Sequence, residues 1–200
     1  MRDLKCDPKT LAGPIDKRVV ENLQRRYPLD PVYLECMEAC HGGVPRVGTF
    51  TVGKKKGQIG LFLTLVDGKS KLKPPKRPHF EDERDDERVV NSVSYLVNGE
   101  HSTARALFDK LLPFAALLTG MCLDRGYVDL LCFDYRVPKP RPPVVLWLAD
   151  KATSAYITWD LLPFAQSYDD NENPINVAWD EFLIPLAPDF SKFIASLRVE

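Results

Sequence analysis

The sequence predicts a largely antiparallel sheet packed with helices, and three observations carry that prediction. The first is a block of three apolar runs, at 111–118, 127–135 and 144–149. Turn chemistry separates them: Thr119-Gly120, Asp124-Arg125-Gly126, and the proline-rich stretch 138–143. Runs of this length bounded by Gly and Pro read as strands, and short connections make consecutive strands antiparallel neighbours. The second is a pair of helical stripes before residue 41. The third is the C-terminal stripe Phe190, Phe193, Ile194 and Leu197, whose i, i+3, i+4, i+7 spacing is that of an amphipathic helix.

Taken in order, residues 14–26 read as a helix. Pro14 suits a first turn, Ile15, Val19, Val20 and Leu23 form one stripe, and Tyr27-Pro28 ends it. A second helix starts at Asp30-Pro31, with Asp30 as N-cap. It runs through Tyr33, Cys36, Met37 and Cys40 and stops at Gly42-Gly43. Residues 47–52 and 58–66 are expected as strands joined by the five-residue loop GKKKG. Residues 67–88 lose almost all apolar character. They read as a solvated loop, positive in KSKLKPPKR and negative in EDERDDER.

Val89, Val93, Leu96 and Val97 have helical spacing before Asn98-Gly99, and Ser102 caps a further short helix over 102–110. The run 111–118 has the length of a helix too, but Pro113 fits a strand start better than a helix interior. In the middle run Val128, Leu130 and Cys132 alternate with Tyr127, Asp129, Leu131 and Phe133. The run 144–149 is apolar on both faces, which places it inside a sheet covered on both sides. Residues 155–159 are expected as a sixth strand. Residues 160–186 then read as an insertion before the last helix, which starts after Pro188-Asp189. The pentapeptide LLPFA occurs at 111 and again at 161, a repeat too short to argue for duplication.

Two hundred residues with 44% hydrophobic content fit one domain over 1–200, with the charged loop at about 67–88 and the insertion at about 160–186. The net charge of −1 gives no general reason to bind nucleic acid or acidic membranes. The polar N-terminus MRDLKCDPKT does not read as a signal peptide, and no run approaches the roughly 20 apolar residues of a spanning helix. Five cysteines without small-scaffold spacing are expected as reduced thiols in a cytoplasmic protein.

The segment YPLDPVYLECMEACHGGVPRVGTFTV resembles the N-terminal signature of the SUKH superfamily, the Smi/Knr-type domain: a Pro-containing helix start, a helix ending in Gly-Gly-x-Pro, then a strand. LLPFAALLTGMCLDRGYVDLLCFDY is similar to that family's central strand pair, and VVLWLAD followed by Tyr156 and Trp159 to the next pair. PLAPDFSKFIASL resembles its closing Phe-x-x-Phe helix. The resemblance is discontinuous but covers most of 26–197. It implies an α+β fold, with a mostly antiparallel or mixed sheet of about six strands flanked by helices. It also implies a non-catalytic immunity protein that binds and neutralises a bacterial toxin, a nuclease among the possibilities, or alternatively a regulatory or scaffold module. This chain departs from the family pattern in its long 67–98 region and its 160–186 insertion, where partner choice tends to reside.

No nucleotide-binding glycine motif and no nucleophile elbow is present. Cys36, Cys40 and His41 form a C-x-x-x-C-H group whose two thiols, at i and i+4, share a helix face and could hold a metal, but no second ligand pair accompanies them. Two core thiols and a capping-region His is the plainer reading. His79 and His101 lie in polar loops. Asp124, Asp129 and Asp134 do not form a carboxylate cluster, since Asp129 and Asp134 point to opposite faces of an unbulged strand. No cofactor is expected.

The charge runs are the candidate partner surface. Glu81, Asp82, Glu83, Asp85 and Asp86 offer a phosphate-like face to a basic cleft; the alternative is a solvated charged loop. Tyr168, Asp169, Asp170, Glu172, Trp179 and Asp180 combine aromatic anchors with acids, as binding surfaces do; the alternative is that Trp179 and Phe182 pack this segment onto the sheet. The basic residues at 54–56 and 69–77 lack interleaved aromatics and lie beside the acidic run, which argues against direct nucleic-acid binding.

Overall fold

The computed structural model describes residues 4–53, 55–66, 93, 110–117, 129–148, 167–168, 174–175 and 183–198. They form an α+β fold built on a six-stranded antiparallel sheet. The strands are β1 (Thr49–Val52), β2 (Lys55–Phe62), β3 (Leu111–Leu117), β4 (Leu130–Asp134), β5 (Val144–Trp147) and, after a separate ladder of β6 (Ser167–Tyr168) and β7 (Pro174–Ile175), β8 (Leu183–Ala187). The sheet order is β1-β2-β3-β4-β5-β8, every neighbour antiparallel. The helices are α1 (Lys17–Gln24), α2 (Pro31–Cys40) and α3 (Phe190–Ser196).

Local chemistry sets each boundary. The α1 helix starts at Lys17, three residues later than the stripe suggests. Asp16 accepts from the Arg18 amide at 2.9 Å, while its own amide is committed to the Leu65 carbonyl at 2.9 Å. A residue capped in this way stands outside the helix, and Pro14 with it. At α2 the expected N-cap is present: the Asp30 carboxylate accepts from Val32 N at 2.9 Å, with Pro31 following. Gly42, at φ +66°, supplies the left-handed residue that ends α2. At α3 the Asp189 side chain accepts from Lys192 N at 2.8 Å.

The β1–β2 connection is tighter than the five-residue loop expected. Val52 pairs with Lys55, so only two residues turn the chain, and Gly53 at φ +58° makes that turn possible. Gly57, expected in the loop, instead sits in β2 opposite Phe50. A Cβ there would stand 2.6 Å from the Phe50 ring. Pro113 lies in a central strand, where its missing N–H is absorbed by a bulge between Pro113 and Ala115.

The strand beside β5 comes from a stretch not expected to form one. Residues 155–159 lie outside the described residues, and the strand that pairs with β5 is β8, drawn from the end of the stretch expected as an insertion. Exposed Pro185 suits this position, because a strand at the sheet edge tolerates a residue without an N–H. The expected helices at 89–98 and 102–110 lie outside the described residues except for Val93, which is helical and buried, and Lys110, which is in a turn.

All residues of β4 and β5 are buried, so the central strands are covered on both faces as the apolar run 144–149 predicts. Above one face, Tyr33 of α2 makes ring contacts with Phe114 of β3, Phe133 of β4 and Phe190 of α3 at 6.0, 5.1 and 5.5 Å. Phe114 and Phe133 stand 4.6 Å apart, and Phe193 reaches Phe50 at 5.6 Å. Each such pair contributes about 0.5–1.5 kcal/mol beyond the burial of its area. The chain after α3 closes on the far edge of the sheet, where Thr49 and Arg198 exchange backbone hydrogen bonds at 3.3 and 2.8 Å. Among the described residues no helix is long and apolar enough to cross a membrane.

Candidate functional site

The sequence-predicted partner surface falls almost wholly outside the described residues. Glu81, Asp82, Glu83, Asp85, Asp86, Asp169, Asp170, Glu172, Trp179 and Asp180 all lie there, as do His79, His101 and Asp124. Tyr168 is placed by its backbone, paired with Pro174 in the β6–β7 ladder.

The Cys36, Cys40 and His41 group resolves into three separate roles. Cys36 is a buried free thiol, and burial pushes its pKa up to about 12, far from the thiolate that metals bind. Cys40 is joined to Cys6 in a disulfide, with Cα atoms 5.4 Å apart. This corrects the expectation of reduced thiols for Cys6 and Cys40, while Cys36 and Cys132 are free. The partner of Cys40 lies 34 residues away, in an isolated β-bridge with Pro45 just before a 3-10 turn at Pro8–Thr10, and spacing alone does not reveal such a pair. His41 is buried with both ring nitrogens engaged: Nδ1 lies 2.8 Å from the Gly13 carbonyl, and Nε2 accepts from Leu65 N at 2.6 Å. That pattern assigns the neutral ring with its proton on Nδ1. Burial lowers its pKa, a shift the Gly13 bond partly opposes.

Around this group the N-terminal arm is zipped to the turn after α2. Asp7 N donates to Val44 O at 2.9 Å, Arg46 N to Lys5 O at 2.8 Å, and Ala12 N to His41 O at 2.9 Å. Val44 N donates to the Thr10 hydroxyl at 2.9 Å. The glycines make the approach possible. A Cβ on Gly42 would stand 2.7 Å from Ala12 Cβ, and one on Gly43 would stand 2.8 Å from Leu11 Cδ2. Read in the sequence as a helix stop, Gly42-Gly43 is also the bed on which the arm lies.

A second polar group sits at the start of α2. The Tyr135 hydroxyl donates to Pro28 O at 2.9 Å and its ring lies 5.2 Å from that of Tyr27. Burial raises the Tyr135 pKa, with the Asp30 carboxylate the next contributor. Asp30 Oδ2 and the Tyr33 hydroxyl are buried, with no hydrogen-bond partner among the described residues. The Asp30 cap, accepting from Val32 N through Oδ1, offsets part of the cost of burying that carboxylate.

Asp134 is tied to its neighbour Arg136. Its carboxylate is forked by Arg136, with Nε at 3.0 and 3.1 Å and Nη2 at 2.8 Å, and it also accepts the Arg136 amide at 3.0 Å. This pins the base of the β4–β5 loop, whose residues 137–141 are exposed, Val137 at 62%. Among the described residues no three His, Cys, Asp or Glu side chains come together as a metal site. Compared with known proteins, the chain matches no family model, no curated protein and no solved structure.

Proposed function

We propose that this chain is a non-catalytic immunity protein of the SUKH type, acting in the cytoplasm by binding a bacterial protein toxin and covering a surface the toxin needs. One observation supports the reading above others. The two ends of the family-like signature, Tyr33 after Asp30-Pro31 and Phe190 after Pro188-Asp189, pack against each other over the sheet at 5.5 Å. Phe114 and Phe133 lie between these two pieces in one core, an arrangement that supports the reading.

The proposed gripping surface is the acidic segment with Glu81, Asp82, Glu83, Asp85 and Asp86, together with Tyr168, Asp169, Asp170, Glu172, Trp179 and Asp180. Acidic side chains would speed encounter with a basic cleft and select among partners, while Tyr168 and Trp179 would supply anchoring area. A complex with Kd near 1 nM requires about 12 kcal/mol, within reach of a standard interface of roughly 1,600 Å².

The test is co-expression with the toxin encoded beside this chain's gene. Growth of the co-expressing cells and co-purification of the pair are expected. Reversal of Asp169 and Asp170 to Lys is expected to weaken the complex at low salt with the thermal midpoint unchanged. Toxicity undiminished by co-expression rejects the immunity reading, and unchanged affinity in the double variant removes those two residues from the surface.

A further inference from the structure

We propose that residues 4–16 form a redox latch, closed by the Cys6–Cys40 disulfide and released when that bond is reduced. The inference does not depend on the toxin reading. It rests on how the arm is held. Cys6 and Ala12 are buried and Leu4 and Ile15 pack against the core, and apart from the disulfide the arm meets the turn after α2 through single hydrogen bonds and close glycine contacts: Asp7 to Val44, Arg46 to Lys5, Val44 to Thr10, Ala12 to His41, and the His41 ring to Gly13. Short stretches held this way open locally at low free energy. The covalent bond between Cys6 and Cys40 is the one link that survives such opening.

The latch reports on the α2 end of the fold. His41 bridges Gly13 in the arm to Leu65 in the chain leaving β2, and the Asp16 amide, at the head of α1, returns to the Leu65 carbonyl. Release of the arm therefore removes the Gly13 partner of the His41 ring and uncovers the Gly42-Gly43 surface against which Leu11, Ala12 and Cys6 lie.

The chemistry is thiol–disulfide exchange with a low-molecular-weight thiol. Its thiolate attacks the Cys6 sulfur once the arm opens locally, both residues being buried, Cys6 at 8% exposure and Cys40 at 0%. The Cys6–Cys40 bond breaks, a mixed disulfide forms on Cys6, and Cys40 leaves as a thiolate that takes a proton. A second thiolate attacks the outer sulfur of the mixed disulfide. It leaves as the oxidised small-molecule disulfide, and Cys6 becomes a thiol. Oxidised glutathione drives the same two exchanges backwards. In a reducing compartment the latch would stand open and close on oxidation, the behaviour of cytosolic disulfides that sense redox state.

The experiment uses the full chain, oxidised with glutathione disulfide or reduced with a phosphine, followed by amide hydrogen exchange and thiol alkylation. In the oxidised protein Cys6 and Cys40 should resist alkylation. Reduction should expose both and should speed exchange at Asp7, Ala12, Val44 and Arg46 by at least roughly tenfold more than at Leu63, Leu117 and Asp134 in and beside the sheet. Cys6→Ser should show the reduced pattern without reductant, and Cys36→Ser should leave the pattern of the oxidised protein intact. Equal acceleration of arm and sheet overturns the latch in favour of a staple of the whole fold. So does a Cys6→Ser chain that does not fold. Alkylation of both cysteines after glutathione disulfide treatment also overturns it, as does exchange at the arm that ignores the redox state.

Discussion

Two regions of this molecule are held together in different ways. Over the sheet, Tyr33, Phe114, Phe133, Phe190 and Phe193 form a packed cluster of rings, and the chain segments that carry them span residues 33 to 193. At the other end of α2, the arm and the Gly42-Gly43 turn are held by directional bonds and one covalent link. The first region is tied by burial, which is non-directional and tolerant of small displacements. The second, where Cys6 and Ala12 are buried too, depends in addition on individual donors, acceptors and missing β-carbons. The difference says where each should fail: the ring cluster under loss of volume, the arm under loss of geometry, charge state or redox state.

The largest effect is expected at the rings. Phe133→Ala removes a fully buried side chain in contact with Tyr33, Phe114, Tyr135 and Phe190, and is expected to cost about 3–5 kcal/mol. A urea titration followed by the loss of circular dichroism checks this. A cost below about 1 kcal/mol would mean the rings are not the core that ties α2 and α3 to the sheet.

Next comes geometry at the turn. Gly42→Ala asks a residue with a β-carbon to hold φ +66° while that carbon stands 2.7 Å from Ala12 Cβ and 2.8 Å from Thr64 Cγ2. The expected cost is about 2–3 kcal/mol, from left-handed backbone plus displaced arm. Hydrogen exchange should show the loss concentrated at Ala12 and Val44. A uniform loss across β3 and β4 instead would erase the distinction between the two regions.

These two positions differ in how far they could be read in advance. The rings follow from patterns: apolar runs bounded by Gly and Pro for β3, β4 and β5, an Asp-Pro helix start before Tyr33, and a helical stripe at Phe190 and Phe193. The arm has no pattern, because residues 4–16 lack periodicity and their fixation depends on which distant carbonyl or sulfur they meet. Cys6 and Cys40 carry no spacing signal, and His41, which does cap α2, has no sequence mark of its second role as a bridge between Gly13 and Leu65. β8 was missed for a related reason: with Pro185 exposed at the sheet edge, Leu183–Ala187 does not alternate as an inner strand would. Asp16 misled in the opposite sense, since a stripe that includes Ile15 continues past the residue that caps the helix.

The arm should also respond to pH. His41 accepts the Leu65 amide only when neutral, and burial depresses its folded pKa below the ordinary value. The unfolded chain therefore binds the proton first. The contribution to stability is complete above about pH 6.5 and is lost as pH falls from there toward the folded value, at no more than about 1.4 kcal/mol per pH unit. Wild type and His41→Gln, compared by denaturant midpoints between pH 8 and pH 5, should differ in slope, with the wild type falling faster. Parallel slopes would show that the ring nitrogens do not couple the arm to Leu65.

The smallest expected effect returns to the ring region and separates burial from hydrogen bonding within it. Asp189 caps α3 through an exposed bond to Lys192 N. Asp189→Ala removes that bond and leaves Phe190 and Phe193 in place, so a loss of about 1 kcal/mol is expected, restored by Asp189→Ser. Thr10→Val makes the matching change in the arm, taking away the acceptor of Val44 N and the donor to Asp7 O. If the arm rests on its individual bonds, Thr10→Val should loosen Asp7 and Val44 in hydrogen exchange. Asp189→Ala should shift the denaturation midpoint without loosening Phe193 relative to the sheet. A helix α3 that detaches on loss of its cap would mean that Phe190 and Phe193 are held by hydrogen bonding at the helix start as much as by the rings beneath them.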